Sequence, residues 1–199
     1  MTTIDVVLGS TRPNRFAEKP ARWVLERLNA RPGVEARLVD LRDHPLPFFD
    51  REAPPAHTGR EHPTPETARF AATIDQADGY VFVTPEYNHG PSAVLKNALD
   101  HTFIEWHRKP VAFVGSGNVG GARAIEQLRQ IVVELEMAPL RHAVHILPDV
   151  MIAAMGAELG DLSVFSPLEH KLTALNDDLV WWADALAAAR AAEPAATPA

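Results

Sequence analysis

Two hydrophobic rhythms alternate along this chain. Ile4–Leu8, Val34–Val39, Tyr80–Thr84, Lys109–Val114 and Leu140–Leu147 are short runs rich in β-branched and aromatic residues, the length and composition of strands. The segments between them repeat apolar residues at steps of three and four, the period of an amphipathic helix. Ala17, Ala21, Val24, Leu25 and Leu28 share one such face, with Pro20 confined to the first turn, where its missing N–H does no harm. A short helix over Thr67–Ala77 turns Ala68, Ala71 and Ile74 inward. Another presents Leu95, Ala98 and Leu99, with Pro91 as its first helical residue. A long helix carries Ile125, Leu128, Val132 and Leu135. A final one carries Leu168, Leu172, Leu175, Leu179, Trp182 and Leu186.

Strands separated by helices predict an α/β domain, a parallel sheet with helices on both faces. The expected strand order is 2-1-3-4-5, whose switch point lies between the first and third strands. One domain then spans residues 1–190, and the Ala- and Pro-rich stretch 191–199 reads as a frayed tail. From residue 40 to about 65 periodicity is lost, and Pro45, Pro47, Pro54, Pro55, Pro63 and Pro65 forbid a helix. Phe48 and Phe49 favour a segment that packs over one that is disordered. The same topology gathers the loops 9–16, 84–91 and 115–121 along one edge, and that convergence is the main functional signal.

A length of 199 residues suits one domain with a full core. The net charge of −7 argues against nucleic acid or an anionic membrane as the main partner. No apolar run is long enough to span a bilayer, and Asp5 interrupts the first apolar segment, so neither a membrane span nor a signal peptide is expected. The absence of cysteine removes disulfides, thiolate metal sites and cysteine nucleophiles. A soluble cytoplasmic protein is the default. Nine histidines invite a metal reading, but His142 and His145 stand three apart in a strand and point to opposite faces. His57 and His62 lie near Asp50, Glu52 and Glu61 without fixed spacing, so no metal site is expected. Phe103, Trp106 and His107 are expected to pack, while His89 abuts the second loop.

The first loop offers the hydroxyls of Ser10 and Thr11, the amide of Asn14, the guanidinium groups of Arg12 and Arg15, and a helix start. Donors, positive charge and a helix N-terminus together suit a phosphate. It is not a Walker loop, since Asn14 stands five residues after Gly9 with no Lys-Ser/Thr following. In the second loop Pro85 and Pro91 stiffen both ends, Tyr87 supplies a ring face, and Asn88 supplies an amide for a flat polar ligand. The third loop contains Gly115-x-Gly117-x-x-Gly120, formally a dinucleotide fingerprint. Only one clear strand follows it, and the next acidic residue at a strand end, Asp149, is too distant for the ribose contact, so a second mononucleotide half is lacking. The glycines leave room for backbone N–H groups to approach a ring.

Three strings carry a resemblance: Gly9-Ser10-Thr11-Arg12; Pro85-Glu86-Tyr87-Asn88 with Leu95-Lys96-Asn97-Ala98-Leu99-Asp100; and Gly120-Gly121-Ala122-Arg123-Ala124 with Gln127-Leu128-Arg129. Together they make residues 4–147 similar to the NADPH-dependent FMN reductase family. The resemblance implies a flavodoxin-like fold, FMN as cofactor, NAD(P)H as co-substrate, and a homodimer or homotetramer. It implies that Ser10 and Arg12, with Asn14 or Arg15, hold the FMN phosphate. It implies that Pro85, Glu86, Tyr87 and Asn88 border the isoalloxazine, and that Ser116, Gly117, Asn118, Gly120 and Gly121 lie along its pyrimidine side. Hydride then passes from NAD(P)H to the flavin and on to free flavin, a quinone or an azo compound, with no catalytic side chain required. The alternative is a non-enzymatic flavodoxin-like electron carrier.

Overall fold

The computed structural model describes residues 1–192. Its strands β1 (Thr2–Leu8), β2 (Val34–Asp40), β3 (Gly79–Pro85), β4 (Pro110–Ser116) and β5 (Ala138–Ile146) form one sheet in the order β2-β1-β3-β4-β5, every pair parallel. The expected order is borne out. The ladder runs past the apolar runs because polar ends still pair, Asp40 with Leu8 and Ser116 with Ile146. β3 and β4 are buried throughout, which is why they read as continuous apolar segments. Alternate side chains serve different layers: Val6, Leu8, Val81, Val83, Ala112 and Val114 face one, while Val7, Tyr80, Phe82, Val111 and Phe113 face the other.

Among the described residues the α-helices are, in chain order, α1 (Glu18–Asn29), α2 (Pro55–Thr58), α3 (Pro65–Asp75), α4 (Ala93–Asp100), α5 (Ala122–Glu134), α6 (Pro148–Gly156) and α7 (Glu169–Ala192). α1 and α7 cover the first face of the sheet, and α3, α4 and α5 cover the second. Trp106 sits edge-on to Tyr80 and Phe82, with ring centroids 4.8 and 5.8 Å away, so it packs as expected.

Several local expectations need correction. Proline did not forbid all helix between residues 40 and 65, because Pro55 starts the single turn α2, where no N–H is needed. α3 starts at Pro65 with Thr64 as its cap, the Thr64 hydroxyl accepting from the Thr67 N–H at 3.2 Å; that phase buries Thr67, Phe70, Ala71 and Ile74 and leaves Ala68 exposed. Pro91 is not the first residue of α4. Ser92 is the cap, accepting from the Leu95 N–H at 3.3 Å, and Pro91 precedes it. In α7, Asn176 and Ala183 take inward positions and Trp182 is exposed. α7 also continues through Ala191 and Ala192, where a tail was expected; the rest of that stretch lies outside the described residues. α6 was not expected at all.

The Pro-rich segment packs as its phenylalanines suggested, through Phe49. The Asn97 side chain donates to the Pro47 carbonyl at 2.8 Å and accepts from the Phe49 N–H at 2.9 Å, and Phe49 lies edge-on to His101 at 5.5 Å. Phe48 stays exposed.

Candidate functional site

The first loop leaves β1 in close contact with β3: the Gly9 N–H donates to the Val83 carbonyl at 2.9 Å, and a Cβ at Gly9 would lie 3.0 Å from that oxygen. Ser10 is buried, its hydroxyl 3.1 Å from the Tyr87 hydroxyl. Arg12 is exposed and holds its guanidinium 5.5 Å from the Tyr87 ring centroid. Asn14 turns the chain at φ 51°. Arg15 is engaged differently from Arg12. Its guanidinium donates to the Ser10 carbonyl and to Asp40 Oδ1, both at 2.7 Å, and its side chain is only 4% exposed. Burial would raise the Asp40 carboxyl, but the Arg15 bonds and the Arg42 N–H outweigh it and hold it below its ordinary value. Arg15 therefore braces the loop against the end of β2, and Arg12 is the arginine open to an anion.

The second loop is a tight hairpin. Tyr87 and Gly90 exchange N–H···O bonds of 2.9 and 3.0 Å, and Asn88 and His89 occupy the tip at φ 50° and 70°, the signature of a type I′ turn. Both tip residues are exposed, and the His89 carbonyl accepts from Gln127 at 2.7 Å. Glu86 points the other way. Its carboxylate accepts from the Arg123 N–H at 3.0 Å and from Arg123 Nε at 2.7 Å, at the first turn of α5. Burial pushes its pKa up, yet the bonds from Arg123 and the Ala124 N–H prevail and depress it. It caps a helix and ties the second loop to the third.

In the third loop the glycines do less for a ligand than expected. A Cβ at Gly120 would lie 2.6 Å from His145 Cβ, and one at Gly121 would lie 2.7 Å from the Gly115 Cα. Both glycines, at φ 64° and 72°, fold the loop down onto β4 and β5. His145 Nδ1 meets the Gly120 carbonyl at 3.0 Å, whereas His142 turns to Asp178 on α7, so the two histidines do diverge.

All three loops open onto one cavity of about 560 Å³. Ser10, Arg12, Asn14, Arg15, Pro85, Glu86, Tyr87, Ser116 and Gly117 line it; Asn88, Asn118, Gly120 and Gly121 do not. Its size is within the roughly 300–1,000 Å³ typical of cofactor sites. Sequence reasoning missed another wall, formed by Met151 and Met155 of α6 and by Leu159, which follows it. Pro148-Asp149, a proline and an acid in the first turn, was the available signal for that helix. Lys19 anchors α6 by donating to the carbonyls of Ala154 and Ala157 at its carboxyl end.

The family model of NADPH-dependent FMN reductases matches residues 2–150. This chain belongs to that family. An NAD(P)H-dependent FMN reductase of Schizosaccharomyces pombe is 35% identical over 151 residues, which cover 75% of this chain and 76% of the relative. A quinone reductase of Pseudomonas putida is 34% identical over 142 residues, covering 68% and 72%. Among solved structures, FerB, the flavoenzyme NAD(P)H:(acceptor) oxidoreductase of Paracoccus denitrificans, shares the fold with a TM-score of 0.67 over 92% of this chain and 98% of that one, at 21% identity. The protein is thus a flavodoxin-like oxidoreductase that uses FMN and NAD(P)H. The cavity fits that cofactor: the exposed Arg12 guanidinium and polar side chains stand on the β1 loop, and Pro85, Tyr87 and Gly117 offer surface for a flat ring.

Proposed function

We propose that the cavity at the carboxyl edge of the sheet holds FMN and that electrons leave it for a small-molecule acceptor, a free flavin, a quinone or an azo compound. The observation that carries this reading is the opening of the cation-bearing β1 loop and the Tyr87 hairpin onto one cavity. Arg12, Ser10 and Asn14 hold the phosphate, with Arg15 bracing them from Asp40. Pro85 and Tyr87 border the ring, and Glu86 holds their loop to α5. Ser116 and Gly117 lie along the pyrimidine side, while Gly120 and Gly121 shape the turn and Asn88 and Asn118 flank it. When bound, FMN accepts hydride from NAD(P)H and passes two electrons on, so no side chain need act as acid or base.

A second copy of the chain fits this reading, because Trp181 and Trp182 of α7 stand exposed side by side, their ring centroids 5.5 Å apart. We place the enzyme in the cytoplasm, where the nicotinamide reductant is supplied; among the described residues no helix is long and apolar enough to cross a membrane.

The test is an absorption spectrum of the purified protein before and after adding NADPH without air. Flavin bands that bleach, with steady oxidation of NADPH once an acceptor is added, are expected. A colourless protein that does not take up added FMN overturns the reading, and bleaching without turnover on any acceptor supports the electron-carrier alternative.

A further inference from the structure

We infer that the Lys109 amine, set in a cavity at the amino edge of the sheet, is a site of reversible carbamate formation with carbon dioxide. The cavity, about 610 Å³, opens between the end of α3, the start of β4 and the end of α7, away from the three loops at the carboxyl edge. Arg60, Asp75, Asp78, Lys109 and Arg190 are among its walls. Among the described residues Lys109 is the one buried lysine, 6% exposed; Lys96 pairs with Asp100, and Lys171 is exposed. The Lys109 side chain donates to the Asp75 carbonyl at 2.8 Å and to the Tyr80 hydroxyl at 3.3 Å. Burial lowers its pKa to about 8; Arg190 and Arg60 reinforce the effect, while the Asp75 and Asp78 carboxylates oppose it. The neutral, nucleophilic amine is therefore accessible near neutral pH.

Two guanidiniums stand where the product's negative charge would develop. Arg60 meets Asp75 at 2.8 and 3.2 Å, and Arg190 donates to the Arg108 carbonyl at 2.7 Å and to Asp78 at 2.9 Å. Each spends two of its five donors there, so each retains N–H groups for a carbamate oxygen. The nearby carboxylates already have partners: Asp75 has Arg60, Asp78 has Arg190, and Glu105 has His62. An amine so deeply set excludes bulky electrophiles and admits a small linear one. The step balances as R–NH₂ + CO₂ → R–NH–COO⁻ + H⁺. The nitrogen lone pair forms the C–N bond, one C=O pair moves onto oxygen, and the proton leaves to water; nothing is oxidised or reduced. The remaining N–H keeps the Asp75 carbonyl, and the Tyr80 hydroxyl keeps its bond to the Ile74 carbonyl at 2.7 Å. Carbon dioxide thereby turns a cation into an anion between α7 and the segment that carries Arg60. The inference stands apart from the FMN reading, because it concerns the opposite edge of the sheet.

The test equilibrates the holoenzyme with ¹³C-labelled bicarbonate, which supplies carbon dioxide, and traps carbamates by ethylation with triethyloxonium. Peptide mass spectrometry then compares Lys109 with Lys96 and Lys171. At about pH 8, labelling of Lys109 should exceed that of the other two at least about tenfold, because far more of its amine is neutral. Arg190→Gln keeps the lysine and removes one guanidinium. Its labelling at Lys109 should fall about five- to tenfold, the scale of one charge-assisted hydrogen bond, while Arg190→Lys, which keeps the charge, should retain most of it. Labelling of wild-type Lys109 no greater than that of Lys96 and Lys171 overturns the inference, and this result needs no variant to fold. Arg190→Gln labelling equal to wild type overturns it as well, since the product would then owe nothing to the cavity.

Discussion

Glu86 offers a prediction whose size follows from the geometry. Its carboxylate, 4% exposed, accepts from the Arg123 N–H and Nε and sits at the positive end of α5, joining the hairpin to the third loop. Glu86→Gln keeps the shape and one acceptor oxygen but removes the charge. A hydrogen bond to an ionised group contributes about 1.5–3 kcal/mol against about 0.5–1.5 for a neutral one. The lost charge at the helix terminus adds roughly 0.3–1 kcal/mol. Arg123 is 40% exposed, so solvent screening removes part of the ion-pair gain. A net loss of about 1–2.5 kcal/mol remains, which lowers Tm by roughly 3–8 °C for a chain of this size. The sign with pH is fixed as well. The folded carboxyl lies below its ordinary value of 4.5, so its contribution is present above that pH and is lost as pH falls through the depressed value. Thermal unfolding of the FMN-free protein, followed by circular dichroism, should show the gap between wild type and variant at neutral pH and its closure under acid. Equal midpoints at neutral pH, or a gap that does not change with acid, would refute the argument.

Other positions give sharper contrasts. Arg12→Ala should weaken FMN binding by about 1.5–3 kcal/mol, or roughly ten- to a hundredfold, in a fluorescence titration; unchanged affinity would place the phosphate elsewhere. Gly33→Ala, at φ 77° with nothing within 4 Å, should cost only the backbone strain, on the order of 1 kcal/mol in urea unfolding. Gly120→Ala adds a 2.6 Å collision with His145 to similar strain and should cost distinctly more; equal losses would mean the loop relaxes freely. Lys109, buried beside Tyr80 and the Asp75 carbonyl, has its pKa lowered by desolvation from 10.5 to about 8. The unfolded chain therefore binds more protons between those values, and wild type should gain stability relative to Lys109→Met as pH rises from about 8. A constant difference between the two across that range would count against the buried amine.

The sheet was legible because two strands buried on both faces must be written as unbroken apolar runs, and helices between them impose the parallel crossover. Helix starts were less legible. The Thr64 and Ser92 caps decide the phase of α3 and α4: α3 begins two residues before the expected Thr67, at Pro65, and α4 begins after Ser92 and not at Pro91. α6 escaped because its apolar residues do not gather on one stripe; they divide between the core, at Val150 and Ala154, and the cavity, at Met151 and Met155.

What the chain determined by itself was the set of loops brought to one edge, since strand order follows from the spacing of local patterns. Which side chains within those loops face a ligand was decided by tertiary structure. Arg12 and Arg15 are alike in sequence, yet Asp40, arriving from another strand, and the Ser10 carbonyl engage the second, while the first lies exposed over the Tyr87 ring. Glu86 and Tyr87 adjoin, yet the start of α5 captures one and Ser10 meets the other. Charge and hydrogen-bonding capacity are written in the residue, but whether they are spent inside the fold depends on partners that local sequence does not name.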